Sequence, residues 1–241
     1  KYWQIRCDCP GRDIPVADQL SARLNCPVYL LNDVRAATLG ELTFGAGRGV
    51  KTMAFFSLGT GVGGGLVIDG RLRLGPHGGA GELGHQTIVD DGPLCGCGNR
   101  GCLEALVSGP ALVGEAIRLI LAGQCPQLFV QIEGDLRRVS PREICAAARA
   151  GDSGALSVIR RAGGYLGVGV ANVVTMIHPQ LVVIGGGVSA LDDLLLEPVR
   201  RIIRERVRMF PPDDVRVERS ALDDRAGLLG AVALAVRGGM G

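Results

Sequence analysis

Four residues able to bind a metal, His85, Cys95, Cys97 and Cys102, fall within eighteen positions, set among glycines and followed by Glu104. Three thiolates and one imidazole complete a tetrahedral shell for Zn2+, and a filled shell leaves no position for a reacting water. The metal role expected here is structural: it would pin a loop too rich in glycine to hold its own shape. Gly81-Glu82-Leu83-Gly84-His85 places a second carboxylate three residues before the imidazole. A loop clamped in this way can present Glu82, His85 and Glu104 rigidly to a polar ligand. A disulfide or three buried thiols would use the same cysteines, but neither accounts for the interleaved glycines, and no signal peptide argues for an oxidising compartment. Cys7, Cys9, Cys26, Cys125 and Cys145 are scattered and read as reduced thiols, so the expected location is cytoplasmic.

Asn32-Asp33 is the next candidate pair. It follows a short apolar strand expected over Pro27–Leu31 and precedes a helical pattern from Val34 to about Leu42. Carboxylates at the carboxyl end of a strand in an open α/β sheet lie where such sheets bind ligands. An aspartate there could accept the proton of a hydroxyl attacking a phosphoryl group. Taken alone, a helix cap is the simpler reading of Asp33.

Glycine is the compositional outlier, at 38 of 241 residues, and it gathers at 59–65, 75–84, 96–101 and 185–187. Gly59-Thr60-Gly61-Val62-Gly63-Gly64-Gly65 lacks the Gly-Lys-Ser/Thr ending of a P-loop. A strand is expected after it rather than a helix, so it is no dinucleotide fingerprint. Its backbone N–H groups and the Thr60 hydroxyl could still meet phosphate oxygens, and a plain hairpin turn remains the alternative. Gly185-Gly186-Gly187 lies between a buried strand and a helix, where an adenosine could approach the backbone or a tight corner could simply be made.

The elements that would position these residues alternate in type. A helix is expected over 13–25, strands over 53–58 and 66–68, and an Asp69-Gly70 turn into Arg71–Leu74 completes an antiparallel meander. Helices follow at about 110–122, from the Ser140-Pro141-Arg142-Glu143 capping box to Ala150, and from Asp152 toward Ile177. A strand at Leu181–Ile184, a helix near 192–209, a strand at Val215–Arg219 and a helix at about 224–236 close the chain. The class is α/β. Net charge of +2 gives no electrostatic case for nucleic acid, and the longest apolar run is too short to span a bilayer.

In this order the motifs resemble the ROK family of repressors, uncharacterised reading frames and sugar kinases. The resemblance runs through Pro10-Gly11, Asn32-Asp33 with Gly40-Glu41, Gly45–Gly49, Leu58–Gly65, Gly81–His85, Cys95–Gly98, Gly101–Glu104, Gly151-Asp152 and Val183–Ser189. It implies an actin/hexokinase-like (ribonuclease H-like), two-lobed fold, and an ATP-dependent hexose kinase of the glucokinase type. The alternative it carries is the sugar-binding body of a transcriptional repressor. By resemblance Asp33 is the general base, and Asn32, Asp33, Glu82, His85 and Glu104 bind the sugar. His85, Cys95, Cys97 and Cys102 hold structural Zn2+. Gly59, Thr60, Gly61, Gly63, Gly185, Gly186 and Gly187 bind Mg2+-ATP. The partners implied are hexose and ATP in a homodimer or homotetramer, with no membrane and no nucleic acid expected for this segment.

The family's Asp-x-Gly-Gly-Thr-type hairpin has no counterpart here, and residues 1–9 depart from the family pattern and read as foreign. The expectation is a chain lacking most of the N-terminal lobe, with impaired kinase activity. Residues 1–48 would be a remnant of the small lobe and 49–225 the large lobe, with its zinc loop at 85–102. Residues 226–241 would form a C-terminal helix packing back toward the small lobe.

Overall fold

A computed structural model describes residues 14–239; Cys7, Cys9, Pro10-Gly11 and the segment 1–9 lie outside the described residues. In chain order the elements are α1 (Val16–Leu24), α2 (Asp33–Phe44), β1 (Met53–Leu58), β2 (Val62–Ile68), β3 (Arg71–Arg73), α3 (Leu103–Val107), α4 (Gly109–Leu121) and α5 (Pro126–Gln131). They continue with α6 (Pro141–Arg149), α7 (Ser153–Ile177), β4 (Leu181–Gly185), α8 (Asp193–Arg206), β5 (Arg216–Arg219) and α9 (Ala226–Val236).

The five strands form one mixed sheet in the order β3-β2-β1-β4-β5. The meander β1–β2–β3 is antiparallel, whereas β4 runs parallel to β1 and β5 parallel to β4. Side chains alternate across a strand, so an apolar strand feeds two cores. Ala54, Phe56 and Leu58 of β1, with Val182 and Ile184 of β4, face the large core built with α4, α6, α7 and α8. Met53 and Phe55, with Leu181 and Val183, face a smaller core completed by Leu39 and Leu42 of α2 and Ala233 and Leu234 of α9. Helices therefore cover both faces of the sheet, as the α/β reading requires.

The helix starts follow local chemistry. Ser140 Oγ accepts the Arg142 N–H and pairs with Glu143 at the head of α6. Buried Asp152 accepts from Ala155 N at the head of α7, and also from Gln127 N and Leu128 N in α5 (2.9, 2.9 and 3.0 Å). One carboxylate thus satisfies the end donors of two helices.

Three expectations change. Val28–Leu31 forms no strand: no described strand lies beside it to complete a ladder, and Val28 N–H bonds to Ser21 Oγ instead. Gly63-Gly64-Gly65 is not turn but the body of β2, which begins at Val62. Its glycines are there for clearance, since a Cβ at Gly63 would lie 2.7 Å from the Val34 side chain and one at Gly65 2.1 Å from Thr38 Oγ1. α2 can rest directly on the strand only because those side chains are missing. The short helices α3 and α5 were not expected. Each has fewer than two turns, too few for a periodic apolar face to show in sequence. Among the described residues no helix is long and apolar enough to cross a membrane.

Candidate functional site

The first turn of α2 carries Asn32 and Asp33. Asn32 is the cap: its Oδ1 accepts from Val34 N at 3.1 Å and Arg35 N at 3.2 Å. Asp33 is the first helical residue, exposed, with Oδ1 accepting from Val34 N at 2.9 Å.

Across β2 from α2, the strand's other face receives the segment 81–84. A Cβ at Gly64 would meet Leu83 at 2.5 Å, and one at Gly84 would fall 1.9 Å from Val62 O. This seats Glu82 and His85 beside the start of β2. Glu82 is half exposed and accepts from Arg35 Nη2 at 2.9 Å. Sequence reasoning did not single out Arg35, whose partner lies 47 positions away, and no local pattern announces it.

The four expected metal ligands converge. Their ligand atoms all lie within 4.8 Å of one another. For a tetrahedral centre with Zn–S near 2.3 Å and Zn–N near 2.05 Å, the sulfur–sulfur edge is about 3.8 Å and the sulfur–nitrogen edge about 3.6 Å. Cys97 Sγ and Cys102 Sγ are 3.7 Å apart, and Cys95 Sγ and His85 Nδ1 are 3.6 Å apart. The donor set and its spacing fit Zn2+. Nδ1 is the nitrogen turned toward the thiols, which leaves Nε2 for another partner. Burial pushes the Cys102 thiol up to about 12 and raises Cys95, while the Asn99 N–H lowers Cys97. A bound cation would favour the thiolates of Cys95 and Cys102 against the burial that raises them.

Glu104 joins this knot to the glycine turn after β1. Its Oε2 accepts from Val62 N at 2.9 Å, its Oε1 lies 3.6 Å from Cys95 Sγ, and a Cβ on Gly61 would come within 2.6 Å of Oε2. The turn itself is closed by Gly59 N–H to Gly61 O at 2.9 Å and anchored by Gly109 N–H to Gly59 O at 2.8 Å, with Thr60 exposed at its tip.

Gly185-Gly186-Gly187 ends β4, the parallel neighbour of β1, with Ser57 paired to Gly185. Gly186 has φ +83°, and any Cβ there would strike Leu58 O at 2.4 Å. Two adjacent parallel strands therefore end side by side in glycine, the place where open α/β sheets bind ligands. Ser189 Oγ donates to Gly186 O and holds the corner. Beside it lies a cavity of about 540 Å³ between α6 and the 187–191 turn, lined among others by Pro141, Arg142, Cys145, Arg149, Gly187 and Leu191. Its walls are mostly apolar and its size suits a small ligand. The capping box located the start of α6 in the sequence but not what the helix would face.

The sequence profile of the ROK family matches residues 7–237. This chain belongs to the ROK family. It is 37% identical over 220 residues to a glucokinase of Halalkalibacterium halodurans, covering 91% of this chain and 66% of that protein. It is 34% identical to a xylose repressor of Caldicellulosiruptor bescii, covering 93% of this chain and 56% of the repressor. The crystal structure of a ROK glucokinase of Streptomyces griseus, in complex with glucose and AMPPNP, superposes with a TM-score of 0.83 at 37% identity, over 92% of this chain and 72% of that one. The fold is that of the ROK sugar kinases, actin/hexokinase-like. The chain spans about two thirds of the length of these glucokinases and just over half of the repressor.

Within the ROK pattern, Glu41 is fully buried. It accepts from Ala46 N and Leu222 N, each at 2.9 Å, and from the Ser220 hydroxyl. It ties α2 to the connection between β5 and α9 and takes no part in the exposed site.

Proposed function

We propose that this chain carries the hexose- and ATP-binding parts of a glucokinase-type sugar kinase. In this reading Asp33 is the general base for the 6-hydroxyl. The observation that carries it is the division of labour at the head of α2: Asn32 caps the helix, which leaves the Asp33 carboxylate exposed. Asp33 takes the proton of the hydroxyl as it attacks the terminal phosphoryl group. Glu82 and Glu104 accept from the other hydroxyls, while Asn32 Nδ2 and the Nε2–H of His85, whose Nδ1 faces the thiols, donate to hydroxyl oxygens. The N–H groups of Thr60 and Gly61 and the Thr60 hydroxyl meet the phosphates, with Gly59 closing the turn that presents them. Gly185–Gly187 and the cavity against α6 take the nucleoside. Mg2+ enters with the ATP and neutralises developing phosphate charge.

The glucokinase relatives and the structural match to a glucose- and AMPPNP-bound ROK glucokinase support this reading. The xylose repressor relative supports a second one, in which the same body binds sugar without turnover.

The test is ADP release from Mg2+-ATP with a panel of hexoses, using the full-length gene product beside Asp33→Asn. Loss of the base lowers turnover by about 10²–10⁴-fold while leaving glucose binding in place. Turnover that survives Asp33→Asn sinks the assignment of the base. Sugar binding with no turnover in the parent protein favours the repressor reading.

A further inference from the structure

Arg35 occupies a position that local rules disfavour. It is in the first turn of α2, two residues after Asp33, where the helix dipole repels a cation, and it is only 2% exposed. A desolvated guanidinium at that place requires specific partners. Its Nη2 donates to Glu82 Oε1 and to Ala80 O, both at 2.9 Å. These two acceptors flank Gly81, which turns at φ +86°. One buried group therefore grips both sides of the bend that carries Glu82. The bend continues into the turn Leu83–His85, where His85 N–H bonds to Glu82 O at 3.1 Å. Glu82 itself is 50% exposed, so its carboxylate keeps acceptor capacity at the surface.

We propose that Arg35 is a positioning residue for hexose binding, holding Glu82 in one orientation so that a ligand hydroxyl meets an acceptor already in place. This rests on the hexose reading of the site. Without the grip, Glu82 samples several rotamers over a glycine bend, and each must be given up when sugar binds.

The test uses the full-length protein with Arg35→Met, Arg35→Lys, Glu82→Gln and the Arg35→Met/Glu82→Gln pair. Two readouts are needed, amide hydrogen exchange over 80–85 and calorimetric affinity for glucose and for AMPPNP. Arg35→Met should speed exchange at 80–85 and weaken glucose by about tenfold, with AMPPNP held within about twofold. Arg35→Lys should restore part of the glucose affinity, and the double variant should bind glucose no worse than Glu82→Gln alone. Should Arg35→Met fail to fold, Arg35→Lys against Glu82→Gln makes the same comparison. Unchanged exchange at 80–85, equal weakening of both ligands, or additive losses in the double variant overturns the positioning role. A parent protein that binds no hexose, with exchange at 80–85 still responding to Arg35, removes the sugar reading instead.

Discussion

Asn32 and Asp33 adjoin each other, yet the geometry gives them separable duties. Asn32 Oδ1 satisfies two end donors of α2, and replacing a cap of this kind by alanine costs about 1 kcal/mol. Asn32→Ala should therefore lower the urea midpoint by a clear margin. Asp33→Asn, at an exposed carboxylate with one local bond, should move stability by only about 0.5 kcal/mol or less. Equal destabilisation by both variants would mean that Asp33 is a capping residue after all. The sequence offered either residue as the cap, because both types accept from helix N–H groups; only the side-chain torsion decides. Glu104 was legible as a polar group next to the knot, but its bond to Val62 N–H was not, since that partner lies 42 positions away. Arg35 was illegible for the same reason, and Cys95, Cys97, Cys102 and His85 were legible because ligand type and count alone constrain what can surround a metal.

Elements here are placed by what is missing as much as by what is present. α2 and α9 cross at backbone contact: a Cβ on Gly230 would lie 1.7 Å from Ala36 O, and one on Gly40 2.3 Å from Ala226 O. Overpacking of that kind costs about 1–3 kcal/mol, against about 1 kcal/mol gained from the better helix propensity of alanine. Gly230→Ala should thus destabilise by about 2 kcal/mol at the severe end of that range, because the obstacle is a carbonyl and cannot rotate aside. Gly114→Ala, on the exposed face of α4 with nothing near, should stabilise by about 1 kcal/mol. Urea denaturation of the two variants checks both signs; a neutral Gly230→Ala would show that the helices can part without loss. Apolar pattern revealed α4, α8, β1 and β4, and capping residues revealed the starts of α6 and α7. It misplaced the start of β2 because glycine carries no side chain to alternate. It also made a strand of Pro27–Leu31, whose apolar content says nothing about whether a neighbour exists to pair with it.

At the scale of the molecule, the knot of His85, Cys95, Cys97 and Cys102 joins parts that are distant in sequence. Cys102 precedes α3, which packs on α7, and Leu103 N–H bonds back to Gln86 O at 3.0 Å. Thr87 and Cys102 form one bridge and Leu94 and Arg100 another, and backbone bonds such as Cys95 N–H to Asn99 O (2.8 Å) fold residues 85–102 around the knot. Through Glu104 the knot also reaches Val62 and the glycine turn at 59–61. Purified protein should contain one zinc per chain, and Cys97→Ser or a strong chelator should remove it. Because burial favours the neutral thiols of Cys95 and Cys102, binding must expel protons, so zinc affinity should fall as pH falls. Removal should accelerate hydrogen exchange first at 85–102 and then at 59–62, as Glu104 loses its footing. β4 and the centre of α7, packed in the large core, should stay protected. Zinc loss that loosens 85–102 but leaves 59–62 protected would show that Glu104 holds the turn unaided. Loss of protection everywhere at once would make the metal a requirement of the whole fold, with no separate part in shaping the ligand-binding edge.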